Sequence, residues 1–192
     1  MLRVLSSLCA ACLIVAGAVG CQSAPKDSSE KEAMQQELRG MERDTLQQLY
    51  KAVPGAEQAV SKAAGYAVFS NFGLKILVAG SGTGKGVAVD NKTGKAVFMR
   101  MAEVQAGLGM GAKKFKLIWV FETDERLNEF VNKGWTLGGQ ASAAAKSGDQ
   151  GGALQGAVAV SPGVWVYQMT EAGLAAELTA KGTKYYKDEG LN

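Results

Sequence analysis

The sequence contains no histidine, and its three cysteines, Cys9, Cys12 and Cys21, all lie close to the N terminus. A Ser-His-Asp triad, a histidine general base and the usual Cys/His zinc site are therefore excluded. If the first twenty residues are removed and Cys21 is modified, neither a disulfide nor a cysteine nucleophile remains. A hydrolase that works with carboxylates is still possible, but no pair of carboxylates stands out. We therefore expect a non-enzymatic protein without a cofactor or metal.

An apolar run over residues 8–19 is too short for a comfortable membrane span of about 20 residues. It follows a basic start and ends in small residues before Cys21, which is typical of a bacterial lipoprotein signal. This pattern predicts cleavage before Cys21 and acylation of its thiol; the alternative is plain secretion with cleavage near Ala18 or Gly20. Gln22 follows the cysteine and no aspartate is present there, so we expect a lipid anchor in the cell envelope, at the outer membrane of a Gram-negative host.

The length of the remaining chain fits one domain with a real core. We assign residues 1–20 to the signal peptide and 21–29 to a flexible, polar tether. A single domain then covers residues 30–192, with N-terminal helices over 30–63 and a β-rich body over 65–192.

The N-terminal part of this domain has the three- and four-residue apolar spacing of a helix, from Glu30 to about Val53. Ser28 and Ser29 are the predicted N-cap, and Pro54-Gly55 separates a second short helix. The long helix could lie on lipid or pack on the domain, and its mixed acidic charge favours packing.

From Gly65 onward the apolar period changes to two, with turn signals every 8–12 residues. Glycine accounts for 25 of 192 residues, against an average share of roughly 7%, which favours turns, bulges and close backbone contacts. The strands are predicted at residues 66–72, 75–79, 86–90, 95–101, 113–122, 135–145, 154–161, 164–169 and 174–181. With a short helix after Thr123, the pattern predicts an α+β fold: a glycine-rich antiparallel β-barrel or sandwich with an N-terminal helix and a short inserted helix.

The glycine-rich segment 80–86 (GSGTGKG) invites comparison with a nucleotide-binding P-loop. Its spacing fails the Walker A pattern, because Ala79 stands where the first glycine is required and Gly86 replaces the Mg²⁺-binding hydroxyl. We interpret the segment as a flexible or bulged turn. The bare backbone at Gly84 and Gly86 would let an anion approach closely.

Positive charge is concentrated in residues 75–116, which contain eight basic and two acidic side chains. The densest cluster is formed by Lys113, Lys114 and Lys116, and Lys85 lies in the same segment. In a membrane-anchored protein such a cluster favours contact with anionic phospholipid headgroups. The alternative is a solvated strand face on which lysines protect a sheet edge.

The remaining polar and aromatic candidates are interpreted as structural. Glu103 is an isolated acid and is assigned to an edge or loop. Trp119 alternates with core positions, and Trp135, Trp165 and the Tyr185-Tyr186 pair are assigned to packing. Nucleic-acid binding is disfavoured by the small net charge of +3 and by the expected compartment.

With these residues in view, the chain resembles the SYLF-domain family in its bacterial lipoprotein branch, from about Ala52 to the C terminus. The resemblance is carried by the segments 62–69 (KAAGYAVF), 84–87 (GKGV), 107–111 (GLGMG), 130–135, 166–168, 173–174 and 181–188 (KGTKYYKD). It implies binding rather than catalysis, since eukaryotic members bind phosphoinositide-rich membranes and some bind actin. Actin and phosphoinositides do not belong to a bacterial envelope, so anionic phospholipid is the expected partner and actin is doubtful.

The sequence therefore leaves two classes of function open. The first is an envelope lipoprotein whose basic domain binds anionic phospholipid headgroups. The second is a structural or protein-interaction lipoprotein, with an envelope or host protein as partner and no lipid contact beyond its anchor. Clustering of the basic residues on one face would favour the first class, and dispersal would favour the second.

Overall fold

The computed structural model describes residues 25, 27–76, 79–106, 111–137, 154–175 and 182–192. Within these ranges the chain forms the helices α1 (Ser28–Ala52), α2 (Pro54–Lys62) and α3 (Asp124–Lys133). The strands are β1 (Gly65–Ile76), β2 (Ala79–Asp90), β3 (Ala96–Ala106), β4 (Gly111–Phe121), β5 (Trp135–Leu137), β6 (Val158–Ser161), β7 (Val164–Thr170), β8 (Gly173–Leu174) and β9 (Thr183–Lys187). Cys21 and the segment 1–20 lie outside the described residues.

The strands form one antiparallel sheet in the order β5-β9-β3-β2-β1-β4-β7-β6, with β8 paired to β7. The sheet is strongly curled into a half-barrel. The α+β class, the barrel-like antiparallel body, the N-terminal helix and the short inserted helix are thus confirmed. Of the two predicted arrangements, a single curled sheet is formed rather than two stacked sheets.

The inner, concave face of the sheet carries an aromatic core that α3 covers. Trp119 on β4 and Tyr185 on β9 are both fully buried, and their ring centroids are 4.8 Å apart. Phe130 on α3 lies 5.0 Å from Trp119 and 5.5 Å from Tyr185. Such tilted and edge-to-face pairs add to the stabilisation that burial of the rings provides. The assignment of Trp119 and Tyr185 to packing is therefore confirmed.

The outer face of the same sheet is covered by α1 and α2. Leu49 of α1 and Ala56 of α2 are fully buried, in one cluster with Val68 and Ile118 of the sheet. Helix α1 therefore packs on the domain, as its mixed charge predicted. Its N-cap is Asp27, whose Oδ1 accepts a hydrogen bond from the Glu30 backbone N–H at 2.8 Å, so the prediction that Ser28 or Ser29 caps the helix was wrong.

The glycine-rich segment 80–86 belongs to β2 and is not a turn, which corrects the prediction from the sequence. Its glycines recur at every second position and place no side chain on the inner face of the curled sheet. A Cβ at Gly86 would collide with the Val68 backbone oxygen and lie 2.5 Å from Phe69 Cδ1. We infer that glycine is required here because the sheet curls so tightly that neighbouring atoms fill the position of a side chain.

Other strand boundaries also differ from the prediction. Strand β6 begins at Val158 instead of residue 154. Strand β9, which the sequence pattern did not predict, joins β3 to β5. Most of the predicted strands 135–145 and 174–181 lies outside the described residues.

Candidate functional site

The pairing of β1 with β2 and β4 brings basic side chains from two separate strands onto one face. Ser70 on β1 is the register partner of Lys85 on one side and of Lys116 on the other. The next outward-facing residue, Phe72, pairs in the same way with Thr83 and Lys114. Because adjacent strands lie about 4.8 Å apart, Lys85 and Lys116 begin roughly 10 Å from each other across Ser70. The outer face thus gathers charges that are 31 residues apart in the chain.

These side chains line a cleft of about 890 Å³ between α1 and the outer face of the sheet. The basic wall consists of Lys85, Lys114 and Lys116. The apolar lining comes from Met34, Leu38 and Met41 of α1, Phe72 of β1 and Met169 of β7. The acidic residues Glu37 and Glu171 also line the cleft. The cleft therefore offers positive charge, apolar surface and a smaller amount of negative charge to a ligand.

The lysines of the cleft form no ion pair with the described residues. Lys116 Nζ donates a hydrogen bond to Gln48 Oε1 of α1 at 3.2 Å. Among the residues that the structure describes, no carboxylate lies within ion-pair distance of Lys85, Lys114 or Lys116. The neighbouring Arg100, register partner of Lys85, differs because its Nε lies 2.7 Å from Asp188 Oδ2. The positive charge of the cleft is therefore available to an anion from outside.

The other predicted site residues are Lys113, Gly84 and Gly86, and none of them adds a described side chain to the cleft. The side chain of Lys113 is not among the described ones, although its backbone pairs with Gly73. Gly84 and Gly86 are both buried, and Gly84 borders the cleft. A Cβ at Gly84 would meet the Met101 side chain at 2.7 Å, so the close approach seen at these glycines is made by the protein's own atoms.

Phe72 is a cleft residue that the sequence reasoning missed. It is 51% exposed, which is unusual for an aromatic ring next to a core. The alternation of β1 contains the signal, since Val68, Ser70 and Phe72 share the face opposite to Phe69. Only the register shows that this ring lies beside Lys114.

The interpretation of Glu103 as an edge or loop residue was wrong. Its side chain is 2% exposed on the inner face of β3, and its Oε2 accepts a hydrogen bond from Asn71 Nδ2 at 2.6 Å. Burial, and secondarily the charge of Glu103, raise the pKa of Tyr185 well above its usual value. This polar group lies across the sheet from the cleft and bonds within the protein.

Two further observations on the described residues concern metal ions and membrane spans. In the ranges given above, no group of three or more acidic, cysteine or histidine residues is placed to hold a metal ion. No helix in the described part of the chain is both long and apolar enough to cross a membrane.

Comparison with known proteins adds two findings. Residues 102–192 match the Ysc84 family, described as "Las17-binding protein actin regulator". The chain is also 32% identical over 146 residues to Beta cell expansion factor A of Aeromonas veronii. That alignment covers 76% of this chain and 54% of the relative, so the chain spans about half the length of the curated protein it matches. Neither description names a catalytic activity. The family match contains the later segments that carried the resemblance, from residues 107–111 to 181–188. The chain belongs to the SYLF (Ysc84) family.

Proposed function

We propose that this protein is a non-enzymatic, lipid-anchored envelope protein whose SYLF domain binds anionic phospholipid headgroups. The observation that carries the proposal is the convergence of Lys85, Lys114 and Lys116 on one cleft, without a carboxylate partner among the described residues. A phosphate group accepts hydrogen bonds from lysine ammonium groups, which act as point charges. Clustering of the lysines on one face favours lipid contact over a dispersed, solvating charge.

The anchor in this proposal is Cys21, acylated after removal of residues 1–20. One acyl chain binds a membrane only marginally, so a lipoprotein gains from several chains or from a second, electrostatic contact. The cleft lysines would supply this second contact, at about 1 kcal/mol for each lysine near an anionic surface. The outer membrane remains the proposed location, because Gln22 follows the cysteine.

The first prediction concerns vesicle binding by the chain from Gln22 onward, which retains every described residue. It should float with anionic vesicles and not with neutral ones, and binding should fade as salt screens the charges. Replacing Lys114 and Lys116 together by alanine should weaken binding by about 2 kcal/mol, or roughly thirtyfold. Flotation over a lipid titration and a salt series measures both effects.

A matched control removes the same charge elsewhere. Lys62 and Lys92 are exposed and lie outside the cleft, so their double alanine variant should lose far less affinity. Equal losses in both double variants would show that only net charge matters. Unchanged binding of the Lys114/Lys116 variant would reject the assignment of the site.

The second candidate function is protein interaction, and the description of the Ysc84 family as binding a protein partner favours it. The exposed apolar residues Val104 and Tyr186, at 71% and 38% exposure, could contribute to such a contact. Absence of binding to both kinds of vesicle would support this function and leave the acyl anchor as the membrane link.

A further inference from the structure

The cleft differs from a basic patch on a flat surface because α1 forms one of its walls. Tyr66 donates a hydrogen bond to Glu42 at 2.5 Å, and Gln35 Nε2 donates one to the Leu191 carbonyl at 2.7 Å. Lys116 is itself bonded to Gln48 of α1. These contacts hold the helix in place over the sheet. Lys114 is exposed and can meet a bilayer surface, whereas a volume of about 890 Å³ between helix and sheet suits a single molecule.

The apolar part of the cleft has no described partner that covers it. Phe72 leaves half of its side chain exposed. Met34 and Met41 of α1, both partly buried, border the same space. Methionine is flexible and polarisable, so it adapts to ligands of irregular shape. An exposed aromatic ring beside such residues is suited to a hydrocarbon chain.

The charges of the cleft indicate a ligand with a single negative charge. Lys85, Lys114 and Lys116 face Glu37 and Glu171, which leaves one net positive charge among the described side chains. A phosphodiester carries one negative charge. The volume of about 890 Å³ lies within the range of roughly 300–1,000 Å³ that is common for small-molecule sites.

We infer that the cleft holds one phospholipid monomer, with its phosphodiester at Lys114 and Lys116 and an acyl chain against Phe72, Met34 and Met41. The inference rests on the proposed function. It adds that the cleft binds one amphipathic molecule, in place of contact with a membrane surface alone. Phosphate chemistry alone would also suit a soluble phosphate ester. The apolar wall distinguishes the two sources, because it contributes only when a chain is attached.

The test is calorimetric titration of the chain from Gln22 onward with lysophosphatidylglycerol below its micelle concentration. Glycerophosphoglycerol, a phosphodiester, serves as the headgroup without a chain, and a neutral monoacylglycerol as the chain without phosphate. The lysolipid should bind at least tenfold more tightly than either. Phe72→Ser should weaken lysolipid binding about fivefold or more, since burial of the exposed half of the ring is lost. Val104→Ser, a matched change at an exposed apolar residue outside the cleft, should leave it unchanged.

Two results would overturn the inference: glycerophosphoglycerol binding as tightly as the lysolipid, or full lysolipid affinity in the Phe72→Ser variant. Flotation with anionic vesicles separates this failure from failure of the proposed function. If vesicles still bind through Lys114 and Lys116, the headgroup function stands and capture of a monomer is rejected. If neither vesicles nor lysolipid bind, both proposals are rejected together.

Discussion

Glycine has opposite effects at two positions of this chain, depending on what surrounds it. At Gly86 a Cβ would collide with the Val68 backbone oxygen and the Phe69 ring. At Gly40, in the interior of α1, the nearest atom to an added Cβ is 4.0 Å away, at the end of the Arg43 side chain. The first glycine is required by packing, whereas the second only adds freedom to the unfolded chain.

The same substitution should have opposite effects on stability at these two positions. Gly86→Ala should lower the free energy of unfolding by about 2 kcal/mol or more, because backbone cannot move aside as a side chain can. Gly40→Ala should raise it by about 0.5–1 kcal/mol through helix propensity. Urea unfolding of both variants measures the difference. A Gly86→Ala protein as stable as the parent would contradict the packing argument.

At the scale of elements, α1 is attached to the sheet by contacts of unequal burial. Glu42 is 3% exposed, receives the Tyr66 hydrogen bond and lies 2.8 Å from Arg39 Nη1. Near the start of the helix, exposed Lys31 Nζ donates to the Asn192 carbonyl at 2.8 Å. A buried carboxylate that loses a donor retains its desolvation cost, whereas an exposed ammonium regains water.

Tyr66→Phe should therefore destabilise the protein by about 1.5–3 kcal/mol, since it removes a hydrogen bond to a buried charged group. Lys31→Ala should cost less than about 0.5 kcal/mol. Denaturant unfolding measures both costs, and hydrogen exchange of the α1 amides shows whether the helix loosens. Equal losses for the two variants would mean that burial does not govern the attachment of α1.

Elements with regular apolar spacing could be predicted from the sequence, whereas the glycine-rich part of a strand could not. Helix α1, helix α3 and strand β4 were predicted because their apolar spacing is regular over ten or more residues. The second part of strand β2 was predicted at residues 86–90, but its glycine-rich first part was missed, since a strand that alternates with glycine lacks the side chains that mark a strand in a sequence. These glycines are required because side chains and backbone atoms of the neighbouring strands β1 and β3 fill the space beside them. The local sequence does not show which strands will be neighbours.

Only those parts of the site that depend on alternation within one strand could be predicted from the sequence. The alternation of β4 placed Lys114 and Lys116 on the face opposite to Phe115. That Lys85 joins them depends on β1 lying between β2 and β4, and that Phe72 borders the same space depends on the register. Assignment of the cleft as a lipid site stays a prediction.

At the scale of the whole molecule, four partly or fully buried tyrosines make the free energy of unfolding depend on pH in the alkaline range. Burial, with a smaller contribution from neighbouring glutamates, raises the pKa of Tyr50 to about 12. Burial alone raises the pKa of Tyr167 to about 12. The pKa values of Tyr66 and Tyr185 are raised further, mainly by burial. Each phenol therefore holds its proton more tightly in the folded chain than in the unfolded one.

The raised tyrosine pKa values make the folded chain less stable at alkaline pH. Below the unfolded tyrosine pKa of about 10 the stabilisation is complete, and it declines as the pH rises from about 10 toward the folded values. Urea midpoints should thus fall steeply above about pH 10, and tyrosinate absorbance should rise together with unfolding. A midpoint that stays constant to about pH 11, or titration of these four tyrosines without unfolding, would contradict this expectation. Exposed Tyr186 is not one of the four.

The alternation along β4 also has a consequence for how such a protein can evolve. Lys114, Phe115 and Lys116 are consecutive, yet the ring is 4% exposed in the core while the lysines face the cleft. The proposed binding residues and the core residues are thus encoded in alternate codons of the same stretch. If the proposed site is correct, point mutations at the lysine codons would change ligand preference in small steps while the core stays intact. Loss or gain of one codon upstream in the strand would exchange the two sets and destroy both properties at once.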